Sequence, residues 1–135
     1  MILVDAGPLV AILSKADQYH ERCTKALGAM RGPMATVWPA VTEAMHLLKP
    51  RLAAQQALLR KLAEGEVVLL PLERGDLPHI GELMAKYADR PMGLADAALV
   101  RVAERERFDT IFTVDRHDFE VYRIDGRRRF KILPS

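Results

Sequence analysis

Four of the 18 acidic residues lie in apolar or small-residue surroundings, where charged side chains are unusual. They belong to the segments LVDAG, AVTEAM, GLADAAL and FTVDR, and are Asp5, Glu43, Asp96 and Asp115. Carboxylates in such surroundings are costly to ionise, and a cluster of them takes up protons unless a cation neutralises it. Mg²⁺ and Mn²⁺ prefer oxygen ligands, and the chain offers no comparable set of cysteines and histidines. If the four acids meet, their chemistry points to a site for Mg²⁺ or Mn²⁺.

The stretch from Gly93 to Phe119 is predicted to supply two of these acids from adjacent elements. Apolar residues recur at helical spacing after Gly93, and the β-branched and aromatic run TIFTV at 110–114 predicts a strand. Asp96 then lies in the first turn of the helix, where the helix dipole favours a carboxylate, and Asp115 lies at the carboxyl end of the strand. Because ligands bind at that edge of open α/β sheets, we expect the two acids to converge.

Short apolar strands alternate with helical segments along the rest of the chain. The predicted strands are 2–4, 34–37, 67–70, 110–114 and 130–133, and the other predicted helices are 9–13, 17–30, 39–48, 51–64 and 77–87. Such alternation implies a parallel sheet with helices on both faces. Gly7-Pro8 is interpreted as a turn, so Asp5 is expected to have little helix to cap. Asp125-Gly126 predicts a hairpin-like turn.

Composition indicates a single globular domain spanning 1–135. The chain is 50% hydrophobic and 28% charged, no apolar run approaches the roughly 20 residues of a membrane span, and the N-terminus lacks a secretory leader. We therefore expect a cytoplasmic protein without membrane association. A lone Cys23 excludes an internal disulfide and is interpreted as a small helical residue. The formal charge of 20 − 18 = +2 does not by itself indicate nucleic-acid binding.

Each acid alone is more simply explained as a helix cap or a paired surface charge; it is their combination that favours a site. A receiver-like phosphoryl-transfer protein also gathers acids at strand ends, but it needs a late lysine in a loop at that edge. Lys131 lies inside the predicted last strand instead, which counts against this alternative.

Several other residues have a functional and a structural interpretation. Trp38 could stack a nucleic-acid base, although packing is favoured for the only tryptophan of a small domain. His46 and a loop residue, His117, could approach a metal or substrate, but both are more simply solvated. The run Arg127 to Arg129 could hold phosphates, whereas short basic runs are usually solvated turns.

The same segments resemble the PIN-domain ribonucleases, and specifically VapC-type toxins of VapBC toxin–antitoxin pairs. The matching segments are ILVDAGPLVAIL, the acid in VWPAVTEAMHLL, GLADAALVRVAE, and TIFTVDRHDF followed by FKILP, which together cover essentially the whole chain. The resemblance implies a PIN-like three-layer α/β/α fold with a mainly parallel central sheet. It also assigns the catalytic and metal-binding residues, which are Asp5, Glu43, Asp96, Asp115 and, more weakly, Asp118. Thr42 and Thr113 would orient carboxylates.

The resemblance also implies an activity and partners. The expected function is that of a toxin endoribonuclease that hydrolyses RNA phosphodiester bonds with a water activated by Mg²⁺ or Mn²⁺. The expected partners are an RNA substrate, a cognate antitoxin protein and a second copy of the chain in a homodimer. A housekeeping PIN nuclease of RNA processing and a non-catalytic PIN-like binding module remain as alternatives.

Overall fold

The computed structural model describes residues 1–135 and contains a five-stranded parallel sheet. In chain order the strands are β1 (Ile2–Val4), β2 (Met34–Thr36), β3 (Val67–Leu69), β4 (Thr110–Phe112), β5 (Arg123–Ile124), β6 (Arg128–Arg129) and β7 (Lys131–Leu133). The sheet has the order β3-β2-β1-β4-β7, and β5 and β6 form a separate antiparallel hairpin. The predicted parallel α/β sheet is therefore confirmed, and so is the turn at Asp125-Gly126.

Helices cover both faces of the sheet, as the alternating pattern predicted. They are α1 (Ala6–Leu13), α2 (His20–Ala29), α3 (Trp38–Leu47), α4 (Leu52–Ala63), α5 (Leu77–Lys86), α6 (Leu94–Glu106) and α7 (Arg116–Val121). One hydrophobic core joins α1, α2 and α4 to the face that carries Ile2 and Val4. The other core joins α5 and α6 to the face that carries Leu3 and Ile111. Cys23 is fully buried in α2, which agrees with its structural interpretation.

Two local predictions were wrong. The first helix begins at Ala6, and Asp5 is its N-cap, with its Oδ1 accepting a hydrogen bond from the Ala6 N–H at 2.8 Å. Pro8 does not prevent this start, because backbone N–H groups in the first turn need no partner within the helix. His117 lies on α7 instead of in a loop. This six-residue helix is too short to show a hydrophobic period in sequence.

An ion-pair cluster fixes α6 relative to the segment before α5. Asp76 is only 3% exposed, and it accepts hydrogen bonds from Arg101 Nε at 2.8 Å and Arg105 Nη1 at 2.7 Å. Burial opposes ionisation, but the Glu73 N–H and the two guanidinium groups hold the pKa of Asp76 below its usual value. Both arginines lie on α6, so the cluster holds in place the helix that carries Asp96.

No helix combines the length and the apolar character needed to cross a bilayer.

Candidate active site at the carboxyl edge of the sheet

A pocket of about 880 Å³ opens at the carboxyl edge of the sheet and is lined by four acids from four parts of the chain. Asp5 follows β1, Glu43 lies in α3, Asp96 lies in the first turn of α6, and Asp115 follows β4. The structure thus brings together all four residues that the sequence singled out. Parallel strands end at the same edge of a sheet, so residues distant in sequence meet there.

Thr113 links two of the acids. Its hydroxyl donates a hydrogen bond to Asp5 Oδ2 at 2.9 Å and accepts one from the Asp115 N–H at 2.9 Å. Burial raises the pKa of Asp5, while the hydrogen bonds from Ala6 and Thr113 partly offset that rise. The orienting role expected for Thr113 therefore has a geometric basis, whereas Thr42 only lines the pocket.

Tyr122 is a site residue that the sequence did not reveal. Its hydroxyl donates a hydrogen bond to Asp96 Oδ2 at 3.0 Å, and its buried ring packs edge-on against Tyr87 and Phe119, with ring centroids 5.0 and 5.2 Å away. Burial and the negative charge of Asp5 raise the pKa of Asp96 to about 7, and the Tyr122 hydroxyl acts in the opposite direction. Tyr122 therefore orients Asp96 and favours its ionised form.

Asp118 lies beside the pocket and is paired with a cation. Arg90 Nη1 contacts Asp118 Oδ1 at 2.9 Å, and both side chains are about one-third exposed. Partial burial, followed by the neighbouring Asp118, raises the pKa of Asp115 to about 6. Asp118 is not among the residues that line the pocket, so its weaker ligand role stays a prediction.

The donor set fits a hard divalent cation. The four side chains offer only oxygen atoms, and three of them, Asp5, Asp96 and Asp115, have raised pKa values that show a local excess of negative charge or poor solvation. No group of three or more acidic, histidine or cysteine side chains forms a ready-made metal cage. Mg²⁺ does not need one, since it commonly binds through one or two carboxylates and keeps several waters.

The rim of the pocket is apolar. Trp38 is 54% exposed, and Leu47 and Leu94 are similarly open to solvent. The packing role favoured for Trp38 was wrong, because this residue occupies the first position of α3 and lines the pocket with about half of its surface exposed. His46 also lines the pocket and is exposed, whereas exposed His117 does not line it.

The arginine run at 127–129 lies away from the pocket. The β5–β6 hairpin is attached to the second half of α6, where Glu104 Oε2 accepts a hydrogen bond from the Asp125 N–H at 2.8 Å. Glu104 is eight residues beyond Asp96, or about 12 Å along the helix axis. Arg128 pairs with Asp125 at 3.3 Å. The run therefore forms a solvated hairpin and does not contribute to the pocket.

Comparisons with known proteins agree with this architecture. The family model for the PIN domain matches residues 2–125. Over 135 residues the chain is 30% identical to Ribonuclease VapC26 of Mycobacterium tuberculosis (strain ATCC 25618 / H37Rv), covering 98% of this chain and 100% of that protein.

Two solved structures share the fold at low sequence identity. The M. tuberculosis toxin VapC20, which cleaves the sarcin-ricin loop, superposes with a TM-score of 0.76 at 16% identity over 82% of this chain and 87% of its own. A toxin–antitoxin complex from Klebsiella pneumoniae gives a TM-score of 0.68 at 19% identity, over 90% of this chain and 92% of its own. Because the family model covers most of the chain and a relative matches it over its whole length, the chain belongs to the PIN-domain family and is of the VapC type.

Proposed function

We propose that this protein is a metal-dependent endoribonuclease and the toxin of a toxin–antitoxin pair. The observation that carries the proposal is the convergence of Asp5, Glu43, Asp96 and Asp115 on one pocket. The names of its relatives support it, since one is a ribonuclease and another is a toxin that cleaves RNA. Such an enzyme would act in the cytoplasm, where its RNA substrate is found.

The four acids would hold one or two Mg²⁺ or Mn²⁺ ions, which polarise a phosphate and lower the pKa of a bound water. Thr113 and the Ala6 N–H fix the carboxylate of Asp5, and Tyr122 fixes that of Asp96. A metal-activated water would supply the nucleophile, so no side chain of the pocket needs to attack phosphorus. In-line attack by water on phosphorus breaks the bond to the 3′ oxygen and leaves a 5′-phosphate and a 3′-hydroxyl. Exposed Trp38 at the rim is positioned to stack an unpaired base.

The direct test is cleavage of RNA by purified protein. We expect activity with Mg²⁺ or Mn²⁺, and we expect excess EDTA, Asp5→Asn or Asp96→Asn to abolish it, because Asn keeps the size of the side chain but loses the charge that binds the ion. Asp89→Asn is a matched control, since Asp89 is exposed and outside the pocket. Undiminished cleavage in EDTA, or by either pocket variant, would refute the metal mechanism.

We also propose that a cognate antitoxin protein restrains the enzyme. A pocket of carboxylates that accepts a cation can also accept an arginine guanidinium, whose planar fork matches carboxylate geometry. The apolar rim formed by Trp38, Leu47 and Leu94 would add hydrophobic contacts to the same partner. The chain should be toxic when expressed alone, and the product of a neighbouring gene should copurify with it and suppress cleavage. If the active chain is harmless or no such product binds, a housekeeping PIN nuclease becomes the better assignment.

A further inference from the structure

A second groove, of about 650 Å³, lies between α2 and the edge strand β7 and carries a concentration of positive charge. Four exposed cations line it: Arg22, Lys25, Arg31 and Lys131. No aspartate or glutamate lines it, and none of the four cations takes part in an ion pair. Four unpaired cations on one concave surface indicate a site for an anionic ligand.

One wall of this cationic groove is a single face of α2. Arg22, Lys25, Ala26 and Ala29 have the i, i+3, i+4 and i+7 spacing that places residues on one side of a helix. The two alanines leave room between the helix and the sheet, and the two long basic side chains flank that room. The α2 wall of the groove is therefore positively charged.

The other wall is the sheet. Ile2, Thr110 and Lys131 are in register across β1, β4 and β7, and all three line the groove. Since β7 is an edge strand, Lys131 lies at the open side of the sheet.

The cationic groove extends along β7 toward the acidic pocket. Leu133 and Pro134 line its far end, and the Pro134 carbonyl accepts a hydrogen bond from Arg116 Nη1 at 2.8 Å. Arg116 directly follows Asp115 in the pocket. A three-residue strand is about 10 Å long, so one flexible polyanion can reach both sites.

We propose that this groove binds the phosphate backbone of the RNA substrate on one side of the cleavage site; the proposal rests on the nuclease function argued above. The carboxylates of the pocket repel an approaching polyanion wherever bound cations do not neutralise them, so a separate cationic surface strengthens the attraction to RNA. The cationic groove can supply this attraction, because no aspartate or glutamate lines it and its four cations form no ion pair. Contacts to phosphate position a strand without reading its sequence.

The test compares two double variants that make the same change in charge. Both are built in the full-length chain with Asp96→Asn, which prevents cleavage, and binding of a fluorescein-labelled 20-nucleotide RNA of mixed sequence is followed by anisotropy. The groove variant carries Arg22→Glu and Lys25→Glu. The control carries Arg127→Glu and Arg129→Glu on the exposed hairpin.

We expect the groove variant to bind at least tenfold more weakly while the hairpin control stays within about twofold of the parent. Loss of two phosphate contacts should also make the plot of log K against log salt less steep by about 1.4, since each contact to a single strand contributes about 0.7. Circular dichroism establishes that the variants fold. The neutral pair Arg22→Gln and Lys25→Gln should show the same change in slope.

The outcomes separate this proposal from the nuclease function. If the wild-type chain cleaves RNA but the groove variant binds it normally, or if both double variants weaken binding equally, only the groove proposal is overturned. If the groove variant keeps RNA binding but loses an acidic protein partner, the groove is a protein-binding site and the proposal is again wrong. If the wild-type chain neither cleaves nor binds RNA, both proposals are overturned.

Discussion

At the scale of single residues, the surroundings of Asp96 shift its pKa in opposite directions. Burial and the charge of Asp5 raise its pKa to about 7, whereas the Tyr122 hydroxyl stabilises the ionised form. Replacing Tyr122 with Phe should keep the packing of the ring and remove only the hydrogen bond.

We expect Tyr122→Phe to lower RNA cleavage roughly tenfold near pH 7 and to move the acidic limb of the pH–activity profile to higher pH. A hydrogen bond to a charged group contributes about 1.5 kcal/mol or more, and about 1.4 kcal/mol corresponds to a factor of ten. A pH–rate profile together with thermal unfolding measures both effects. An unchanged profile, or a loss of activity that follows a loss of folded protein, would contradict the orienting role.

The raised pKa of Asp96 also predicts how the metal-free protein responds to pH. Asp96 retains its proton up to about pH 7 in the folded protein, whereas an aspartate in the unfolded chain has its ordinary pKa of 3.8. The contribution of Asp96 to the free energy of unfolding is therefore fully present below about pH 4 and is lost as the pH rises toward 7.

Asn cannot ionise, so Asp96→Asn should remove this pH dependence. The metal-free variant should therefore be more stable than wild type at pH 8, where the buried Asp96 is ionised. Urea unfolding in EDTA between pH 4 and 8 gives the free energy of unfolding of both proteins at each pH. Subtracting one from the other cancels the contribution of the other acids. An identical pH dependence in both proteins would show that Asp96 does not carry the proton.

The sequence predicted the convergence of the four acids from their combination, because each is flanked by apolar or small residues and follows a strand or lies in a helix at one edge of the sheet. It did not predict their partners. Tyr122 is 26 residues from Asp96, and Arg90 is 28 residues from Asp118, so each contact depends on how separate elements pack. Neither side chain has an unusual local sequence that would reveal it.

At the scale of elements, α1 packs closely against the segment that follows β4. A Cβ atom on Gly7 would lie 2.5 Å from Val114 Cγ2, which is much closer than real contacts. Both residues line the pocket, and they lie close to Asp5 or Asp115 in sequence. The distance between these elements therefore sets the distance between two acids.

We expect Gly7→Ala to reduce stability by about 1–3 kcal/mol, as is typical of overpacking, and to lower activity by displacing Asp5. The double variant Gly7→Ala with Val114→Ala should regain part of the stability and part of the activity, because it lacks the methyl group that clashes. Thermal unfolding and RNA cleavage of the single and double variants test this. Equal losses with and without Val114→Ala would show that the clash is not the cause.

The sequence predicted the apolar strands and the long helices well, but it missed the start of one short helix and the whole of another. Strands such as Val67–Leu69 are short apolar runs with clear ends, and long helices show their period. The start of α1 and the whole of α7 were missed, because a proline in a first turn looks like a breaker and six residues hold less than two turns.

At the scale of the whole molecule, exposed leucines on α4 offer a surface for the predicted homodimer. Leu52 and Leu59 are 65% and 45% exposed and lie seven residues apart, on one side of the helix. Two leucines on one helical face can be buried together by the same helix of a second copy. A symmetric pairing of helices would also place two acidic pockets on one long RNA.

We therefore expect a homodimer of twice 15.2 kDa in light scattering at micromolar concentration. Leu52→Glu with Leu59→Glu should produce the monomer, whereas Leu77→Glu, at an exposed leucine on α5, should not. A wild-type protein that is entirely monomeric would refute the prediction.

The order of strands in the sheet has a consequence for synthesis on the ribosome. The strand β1 lies between β2 and β4, and the hydrogen bond from Thr113 to Asp5 spans 108 residues. At roughly 5–20 residues per second, β4 is translated about 5–20 s after β1. During that interval Asp5 has neither Thr113 nor Asp115 beside it, and the nascent chain cannot assemble its acidic pocket. The ribosome that makes this nuclease therefore meets no assembled active site until the chain has been translated past Asp115.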